Sequence, residues 1–568
     1  MLDYIYPEEE QRFFTDREHV LSLLKLSRDL LIQGVRKHIA LSGFRRVGKT
    51  VVMKEFLRRS LSRATRSAEV QVAYLDLPRL SRTPETFSVQ YLGYLLYWCL
   101  DDGSGRMENY LNPTNQLTMV GRTGFDVLVD FFTSFYQELE KEKPDQHLLL
   151  EMAFNAPEII AKASSQKVLV MIDEFPEILA LNNYPQVRDV LALFRAVLQT
   201  QSDVTYIVAG SMISLMERIF LDAESPLFVH FQMESIGSFG KENCANLARK
   251  RLSAVADPVP ADALATVYQV TRGHPFYIYA TCMRVIENVT LLQKSLSPET
   301  VQEAFTLETL GSTGRIYSLC RYILEQSLKD VRWETMPQAI LQVLAQQPRG
   351  MSLTEIAERL KRPTGAIRQI LNWLVDVDLI EQREDKMYLY RDAVLQVWVA
   401  YYYAGLQLTG LPNQKVLSNL VSELMERYER VANELGSVKE SQVRELLQQF
   451  DGQIVDGTWF GVSGEFQLPV FERVKPYISP NGQIEIDALA EGSACWAVEV
   501  KWRGRLSGRK ELEKLAASVN WLISEGRSPQ AWFISRAGFT PDALEFAQKV
   551  GILVSDGQAV EHLIKYLG

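Results

Sequence analysis

GFRRVGKT, the sequence from Gly43 to Thr50, fits the phosphate-binding pattern G-x-x-x-x-G-K-[ST]. An apolar run, residues 38–42, precedes it, and a segment with helical character, residues 51–57, follows it. A phosphate-binding loop requires this order of strand, loop and helix. The N-terminal part of the chain is therefore predicted to be a P-loop NTPase with a parallel sheet.

Each residue type in this loop has a chemical reason to be there. Gly43 and Gly48 let the backbone curl so that successive N–H groups point at phosphate oxygens. Lys49 is expected to reach the outer phosphates, Thr50 to ligate Mg²⁺ through its hydroxyl, and Arg46 to contact the nucleotide. ATP and Mg²⁺ are the expected cofactors, and the alternative is a chance glycine-rich turn.

A second motif, KVLVMIDEFPE at residues 167–177, is an apolar run that ends in two carboxylates. The pattern is typical of a buried parallel strand that ends at an active-site edge. Asp173 is predicted to hold the magnesium ion, and Glu174 to orient and polarise the attacking water. A third strand, residues 204–211, ends at Ser211, a candidate sensor of the γ-phosphate, although a Gly-Ser pair can also simply end a strand.

Composition narrows the class of protein. The 568 residues imply several folding units, and 47% hydrophobic with 23% charged residues is ordinary for a globular chain. No apolar run is long enough to span a bilayer, and the acidic N-terminus does not have the order of a signal peptide, so no membrane association and a cytoplasmic location are expected. The net charge of -9 restricts nucleic-acid binding to a local basic patch.

The motifs together resemble the archaeal-type ATPases of the STAND class, which are related to AAA+ enzymes. In that family a Gly-His-Pro element lies in a helical lid and its histidine reads the β-phosphate, a role that the resemblance assigns to His274. The family's Pro-Leu-Tyr-Gly-Arg segment is replaced here by residues 225–230 without an arginine, so no arginine finger is assigned. The matching segments are residues 14–18, 43–50, 172–175, 210–216 and 271–275.

Changes in pattern along the chain predict a multidomain α/β protein with five parts. Apolar spacing at residues 87–100 and 125–139 indicates helices in an insertion, residues 80–160, to which no chemical role is assigned. The predicted parts are a P-loop ATPase core (1–239), a helical lid (240–330), a winged helix (331–403), connecting helices (404–436) and a small α/β restriction-endonuclease-like domain (437–568).

The winged helix is predicted from a helix capped by Ser352, a turn at residues 361–365, a second helix, and an alternating hairpin at 378–390. The second helix offers only Arg368, Gln369 and Asn372 for base contacts. DNA reading is one interpretation, and protein–protein or interdomain packing is the other.

Residues 483–490 and 494–502 read as a hairpin around a Glu-Gly-Ser turn. Glu499 and Lys501, two apart on one strand, project from the same face, and Asp487 is on the preceding strand. This arrangement resembles the PD-(D/E)XK nuclease superfamily. The resemblance implies that Asp487 and Glu499 hold Mg²⁺ and that Lys501 orients the attacking water, with Glu440 on an upstream helix as a further acid. The alternative is a solvated charged face.

A basic segment follows the hairpin and suits a phosphate backbone. The preferred function is an ATP-binding and ATP-hydrolysing switch that controls a metal-dependent nuclease acting on DNA in defence, repair or a mobile element. The alternative is a STAND-type ATPase that only binds DNA or a protein partner, and homo-oligomer formation stays open. The basic residues are Lys501, Arg503, Arg505, Arg509, Lys510 and Lys514, which exceed Glu511 and Glu513 by four charges.

Overall fold

The structure is a computed structural model of the chain. It describes residues 6–61, 69–100, 106–329, 335–383, 385–405, 408, 414–479, 484–501 and 506–567, without some side chains inside these ranges, among them those of 432–442. The chain divides into two compact units, Met1–Gly237 with Asp376–Asp378, and Ser238–Val375 with Leu379–Gly568. No helix in the described ranges is long and apolar enough to cross a membrane.

The first unit is an α/β fold whose helices lie on a central sheet, with two 3-10 helices at Leu77–Arg79 and Phe175–Asn183. Its elements are α1 (Glu8–Gln11), α2 (Glu18–Ile32), β1 (Ile39–Ser42), α3 (Lys49–Leu61), β2 (Val70–Asp76), α4 (Pro84–Leu100), α5 (Met107–Tyr110), α6 (Pro113–Thr123), α7 (Asp126–Leu139), α8 (Gln146–Ser164), β3 (Lys167–Asp173), α9 (Val190–Thr200), β4 (Val204–Gly210), α10 (Ile213–Phe220) and β5 (Gln232–Ser235).

The sheet is parallel throughout, with strand order β2-β3-β4-β1-β5. All residues of β1 and β4 are buried, as expected for parallel strands covered on both faces. The predicted loop follows β1, and β4 lies between β1 and β3. The carboxyl ends of the three strands therefore meet at one edge, which is where open α/β sheets place their ligands.

The segment between α3 and β3 is not only an insertion. It contains β2, a strand of the central sheet that pairs along its whole length with β3. The predicted helices at 87–100 and 125–139 are confirmed as α4 and α7, and α4 packs against β2 and α8. Between these two helices lie α5 and α6, and Asn112 caps α6 by accepting the N–H groups of Thr114 and Asn115.

His38, the residue before β1, is a buried histidine that the fold keeps neutral. Its Nδ1 accepts a hydrogen bond from the Tyr206 N–H at 3.1 Å. The pKa of His38 is lowered to about 3 because burial disfavours the charged ring, and Arg36 and His230 add to the effect.

We expect His38 to make the protein less stable in acid. Between pH 6.5 and 3, His38 binds a proton in the unfolded chain but not in the native state. The free energy of unfolding therefore falls as the pH falls, by at most about 1.4 kcal/mol per pH unit. His38→Asn keeps an acceptor without titrating. Urea unfolding across this window should therefore show a shallower pH slope for His38→Asn, and identical slopes would contradict the assignment.

The second unit contains helices, a winged helix and a separate sheet. Its elements are α11 (Lys241–Leu252), α12 (Ala261–Thr271), α13 (Pro275–Leu292), α14 (Pro298–Leu310), α15 (Arg315–Leu328), α16 (Met336–Ala345), β6 (Met351–Ser352), α17 (Leu353–Leu360), α18 (Thr364–Asp376), β7 (Ile380–Gln382), β8 (Met387–Tyr390), α19 (Ala393–Tyr403), α20 (Gln414–Gln448), β9 (Ile454–Asp456), β10 (Glu465–Gln467), β11 (Phe471–Ile478), β12 (Glu485–Gly492), β13 (Cys495–Lys501), α21 (Arg509–Ser524), β14 (Pro529–Ser535), α22 (Pro541–Val550), β15 (Leu553–Asp556) and α23 (Gly557–Leu567).

The winged helix has the predicted elements. Ser352 caps α17 in a capping box with Glu355, in which each side chain pairs with the other residue's backbone N–H. The hairpin of β7 and β8 forms the wing, and β6 adds a third strand in the order β6-β8-β7. The predicted helix-turn-helix and wing are confirmed.

Helix α20 crosses a boundary that the sequence pattern placed between residues 436 and 437. It is one helix of 35 residues, and Gly436 does not interrupt it. A single glycine costs a helix only about 1 kcal/mol relative to alanine, which the helical residues around it can offset. The other predicted boundaries stay predictions.

The C-terminal sheet has the strand order β11-β12-β13-β14-β15. Strands β11, β12 and β13 are antiparallel neighbours, whereas β14 runs parallel to β13 and β15 parallel to β14. The predicted hairpin is confirmed as β12 and β13. Side chains alternate along β13: Trp496, Val498 and Val500 pack in one apolar cluster, and Ala497 packs on the opposite face with Leu522 of α21.

Candidate functional site

The loop after β1 has the geometry that its two glycines permit. Gly48 has a φ of 107°, a conformation that side-chain-bearing residues rarely adopt. At Gly43 a Cβ atom would collide with the carbonyl oxygen of Ile236, in the segment that follows β5. Both positions therefore need glycine for steric reasons, independently of any ligand.

Lys49 lies under this loop. Its Nζ donates to the carbonyl oxygens of Gly43 at 2.7 Å and Phe44 at 2.9 Å. Burial lowers the pKa of Lys49 to about 8, and the carboxylates of Glu174 and Asp173 oppose that shift. The ammonium is thus placed at the loop, where a phosphate oxygen would be a stronger partner than a neutral carbonyl.

Arg17 joins the loop to the end of the first unit, a function that sequence reasoning did not assign. Its Nη2 donates to the carbonyl oxygens of Gly237 at 2.5 Å and Val47 at 3.4 Å. Arg17 and Asp16 both have positive φ angles, 74° and 55°. The segment 14–18, which supported the family resemblance, therefore supports the loop from one side.

Asp173, at the end of β3, is held by three donors. Its Oδ2 accepts from the Thr50 hydroxyl at 2.7 Å and from the Tyr74 hydroxyl at 3.0 Å, and its Oδ1 accepts from the Glu174 N–H at 3.1 Å. The structure thus brings Thr50 and Asp173 together, as predicted. Hydroxyl and carboxylate oxygens are ligands that Mg²⁺ prefers, so these two residues fit that cation.

Glu174 is turned toward the neighbouring strand. It has a φ of 50°, and its Oε2 accepts from the N–H of Ser211 at 3.0 Å and from its hydroxyl at 2.9 Å. Ser211 follows β4, which lies beside β3, so strand order explains the contact. A sensing role for Ser211 stays a prediction, but the residue does more than end a strand: it binds the proposed water-orienting carboxylate.

Strand β2 adds two polar residues that sequence reasoning missed, Tyr74 and Asp76. Asp76 pairs in register with Asp173. The pKa of Asp76 is raised because it is partly buried and close to Asp173, while Arg79, 2.9 Å away, opposes that shift. The signal was present in the sequence, since VQVAYLD, like KVLVMID, is an apolar run that ends in aspartate.

The two remaining residues that were predicted to contact the nucleotide, Arg46 and His274, are not among the hydrogen-bonded residues described above. Arg46 is exposed in the loop, with a φ of 59°. His274 belongs to the second unit, where it directly precedes α13 and its ring stacks on Tyr277 with centroids 4.2 Å apart. Gly273 before it has a φ of 77° and no room for a Cβ atom beside the carbonyl oxygen of Phe239. Contact of Arg46 or His274 with a nucleotide stays a prediction.

The structure brings the three predicted residues of the C-terminal sheet together. Lys501 Nζ forms an ion pair with Glu499 and lies 3.8 Å from Asp487 Oδ2. The same Asp487 oxygen accepts the Val500 N–H at 2.7 Å, and the Asp487 carbonyl accepts from Arg444 of α20 at 2.9 Å. Asp487 is therefore fixed by the fold on both its backbone and its side chain.

The charged side chains of this group influence one another. The pKa of Glu499 is raised because the residue is buried and faces Asp487, while Lys501 and Lys514 oppose that shift. Among the side chains that the structure describes, no cluster of three His, Cys, Asp or Glu residues has metal-site geometry. The group contains two carboxylates, those of Asp487 and Glu499, and carboxylate oxygens suit a divalent cation.

Part of the prediction falls outside the described residues. The side chain of Glu440 is not described, and neither are Arg503 and Arg505 of the basic segment. Within the described part of that segment, Arg509 at the start of α21 pairs with Glu513 at 2.8 Å.

The winged helix presents a polar surface on its second helix. Arg368, Gln369 and Asn372 of α18 are exposed, and so are Lys361 and Arg362 in the turn before it. In a helix-turn-helix the second helix enters the DNA major groove. The predicted reading residues therefore lie on the accessible side of the helix.

Comparison with known protein families finds a match for one part of the chain. Residues 339–384 match the IclR helix-turn-helix domain. No curated protein matches the chain.

Several solved structures are similar over most of their length. A Walker-type ATPase of Pyrococcus abyssi has 17% identity, covers 69% of this chain and 96% of its own, and has a TM-score of 0.44. The ORC2 protein of Aeropyrum pernix with ADPNP and ADP has 13% identity, coverage of 72% and 93%, and a TM-score of 0.41. The RuvB Holliday junction branch migration motor of Thermotoga maritima has 14% identity, coverage of 70% and 97%, and a TM-score of 0.31.

Proposed function

We propose that the first unit binds ATP with Mg²⁺ and hydrolyses it. The observation that carries this proposal is the hydrogen-bonded series Thr50–Asp173–Glu174–Ser211 at the carboxyl edge of a parallel sheet, next to the loop that contains Lys49. Phosphoryl transfer depends mainly on positioning and charge stabilisation, and these residues supply both.

Each residue has one task in this proposal. The N–H groups of the loop and Lys49 bind the outer phosphates. Thr50 and Asp173 hold Mg²⁺, which when bound offsets phosphate charge. Glu174 accepts a hydrogen bond from the attacking water, and Ser211 fixes one oxygen of that carboxylate. No arginine is assigned to the transition-state charge, so hydrolysis by this chain alone should be slow.

We further propose that the second unit acts on DNA and that nucleotide state controls this action. The support is the winged helix, whose α18 exposes Arg368, Gln369 and Asn372, and the cluster of Asp487, Glu499 and Lys501. Two carboxylates with a neighbouring ammonium suit metal-dependent phosphodiester hydrolysis. In this proposal Lys501 orients the attacking water, and Asp487 and Glu499 hold the cation.

A second candidate function is DNA binding without cleavage. It is favoured by the ion pair between Lys501 and Glu499, which occupies the two groups that hydrolysis would need. The arrangement of these side chains does not by itself imply cleavage, because a fold does not determine its activity.

Incubation of the purified protein with plasmid and linear DNA distinguishes the two functions. We expect Mg²⁺- or Mn²⁺-dependent cleavage that EDTA stops and that differs between ATP and ADP. Retention of DNA in a gel shift without cleavage, under every metal and nucleotide condition, would favour the binding function. If the protein neither retains nor cleaves DNA, both functions are contradicted.

A further inference from the structure

Tyr74 of β2 is close to the proposed magnesium ligand, yet it belongs to none of the motifs. We propose that Tyr74 is a positioning residue of the nucleotide site, whose hydroxyl holds the Asp173 carboxylate in the orientation that a divalent cation requires. This inference rests on the proposed ATP-binding function and assigns a residue to the same site.

Strand register places Tyr74 correctly for this task. Tyr74 pairs with Met171, and Asp76 pairs with Asp173. Residues two apart on a strand share a face, so all four side chains project from the same side of the sheet. Tyr74 is thus diagonal to Asp173, a separation that a long aromatic side chain spans, and its hydroxyl reaches Oδ2 at 3.0 Å.

Two donors meet on Asp173 Oδ2, and they differ in kind. Thr50 belongs to the phosphate-binding loop and helix, and its oxygen is itself a proposed cation ligand. Tyr74 belongs to the core, where only 3% of its surface is exposed. A bound cation would draw on the Thr50 oxygen, whereas the Tyr74 hydroxyl is not a proposed cation ligand and can keep its hydrogen bond to Asp173. Tyr74 therefore fixes the carboxylate whatever Thr50 binds.

The burial of Asp173 makes this donor important. Only 3% of Asp173 is exposed, so little water is present to replace a lost partner. A hydrogen bond to a carboxylate is roughly twice as strong as one between neutral groups. Loss of a partner that orients a metal ligand typically costs about 10- to 100-fold in metal affinity or activity.

The test is Mn²⁺ binding to the protein saturated with a non-hydrolysable ATP analogue, measured by electron paramagnetic resonance. Tyr74→Phe removes one oxygen and keeps the ring, so the fold should persist, and thermal unfolding checks this. We expect the Kd for Mn²⁺ to rise about tenfold, the lower end of that range. Affinity for the analogue in EDTA should not change, since Tyr74 acts on the cation ligand and not on the phosphates.

Tyr136→Phe is the matched control. Tyr136 is also buried in the first unit, and its hydroxyl donates to Gln116 Oε1 at 2.6 Å within the helical segment. This variant should bind Mn²⁺ like the parental protein. An equal rise in Kd in both variants would reduce the effect to general loss of packing and overturn the inference.

The remaining outcomes separate this inference from the proposed function. If the parental protein binds no analogue, or binds Mn²⁺ equally with and without it, the proposed function fails and the inference with it. If the parental protein shows nucleotide-dependent Mn²⁺ binding and Tyr74→Phe matches it, the inference alone is overturned. Equal weakening of analogue binding with metal and in EDTA would also overturn it.

Discussion

Replacing Glu174 with glutamine is expected to leave ATP bound but to slow its hydrolysis by roughly 100- to 10,000-fold, the usual contribution of a positioned acid–base group. The amide keeps the size of the side chain and an oxygen that can accept from Ser211, which now bonds Oε2 at 3.0 Å and 2.9 Å. It loses the negative charge that polarises water. Equilibrium binding of ATP and release of phosphate measure the two effects separately.

Two variants test whether that effect is specific. Glu177→Gln makes the same change three residues further on, where the glutamate is exposed and pairs with Arg82 at 2.9 Å, so the hydrolysis rate of this variant should be parental. Lys49→Ala should abolish binding, because it removes the charge under the loop. Hydrolysis at the parental rate by Glu174→Gln would assign the water-orienting task to another residue.

In the C-terminal sheet, Asp487→Asn and Glu499→Gln are each expected to lower metal-dependent DNA cleavage by about 100-fold or more. When a residue that only orients a metal ligand is lost, metal affinity or activity falls roughly 10- to 100-fold. Here a proposed ligand itself is changed, so the loss should be at least as large. Asparagine can still accept the Val500 N–H, which now bonds Asp487 Oδ2 at 2.7 Å, so the hairpin should stay folded. Initial rates of plasmid nicking, measured across a Mg²⁺ titration, give the result.

Glu491→Gln is the control for this pair. Glu491 is on the same strand as Asp487, β12, but its partner on β13 is Cys495. Its carboxylate forms an ion pair with Arg527 at 3.6 Å. Its cleavage rate should be unchanged. Lys501→Ala should also stop cleavage while leaving ATP hydrolysis intact. Parental cleavage by Asp487→Asn and Glu499→Gln would locate any nuclease activity elsewhere.

Features encoded within a few residues were determined by the sequence. The phosphate-binding loop follows from its two glycines, Lys49 and Thr50 between a strand and a helix. The helix-turn-helix follows from the Ser352 cap and the apolar spacing. The hairpin of β12 and β13 follows from alternation around a turn. Backbone sterics, caps and side-chain periodicity act locally, so they can be read without knowledge of the rest of the chain.

The order of strands was decided only in the tertiary structure. β2 was hidden in an apparent insertion, β4 lies between β1 and β3, and β11, β14 and β15 complete a sheet of which the sequence showed one hairpin. Parallel neighbours are joined by crossovers, so which strands pair depends on how remote segments pack. For this reason the sequence could name Asp173 and Glu174, but only the fold could show that Tyr74 and Ser211 hold their carboxylates.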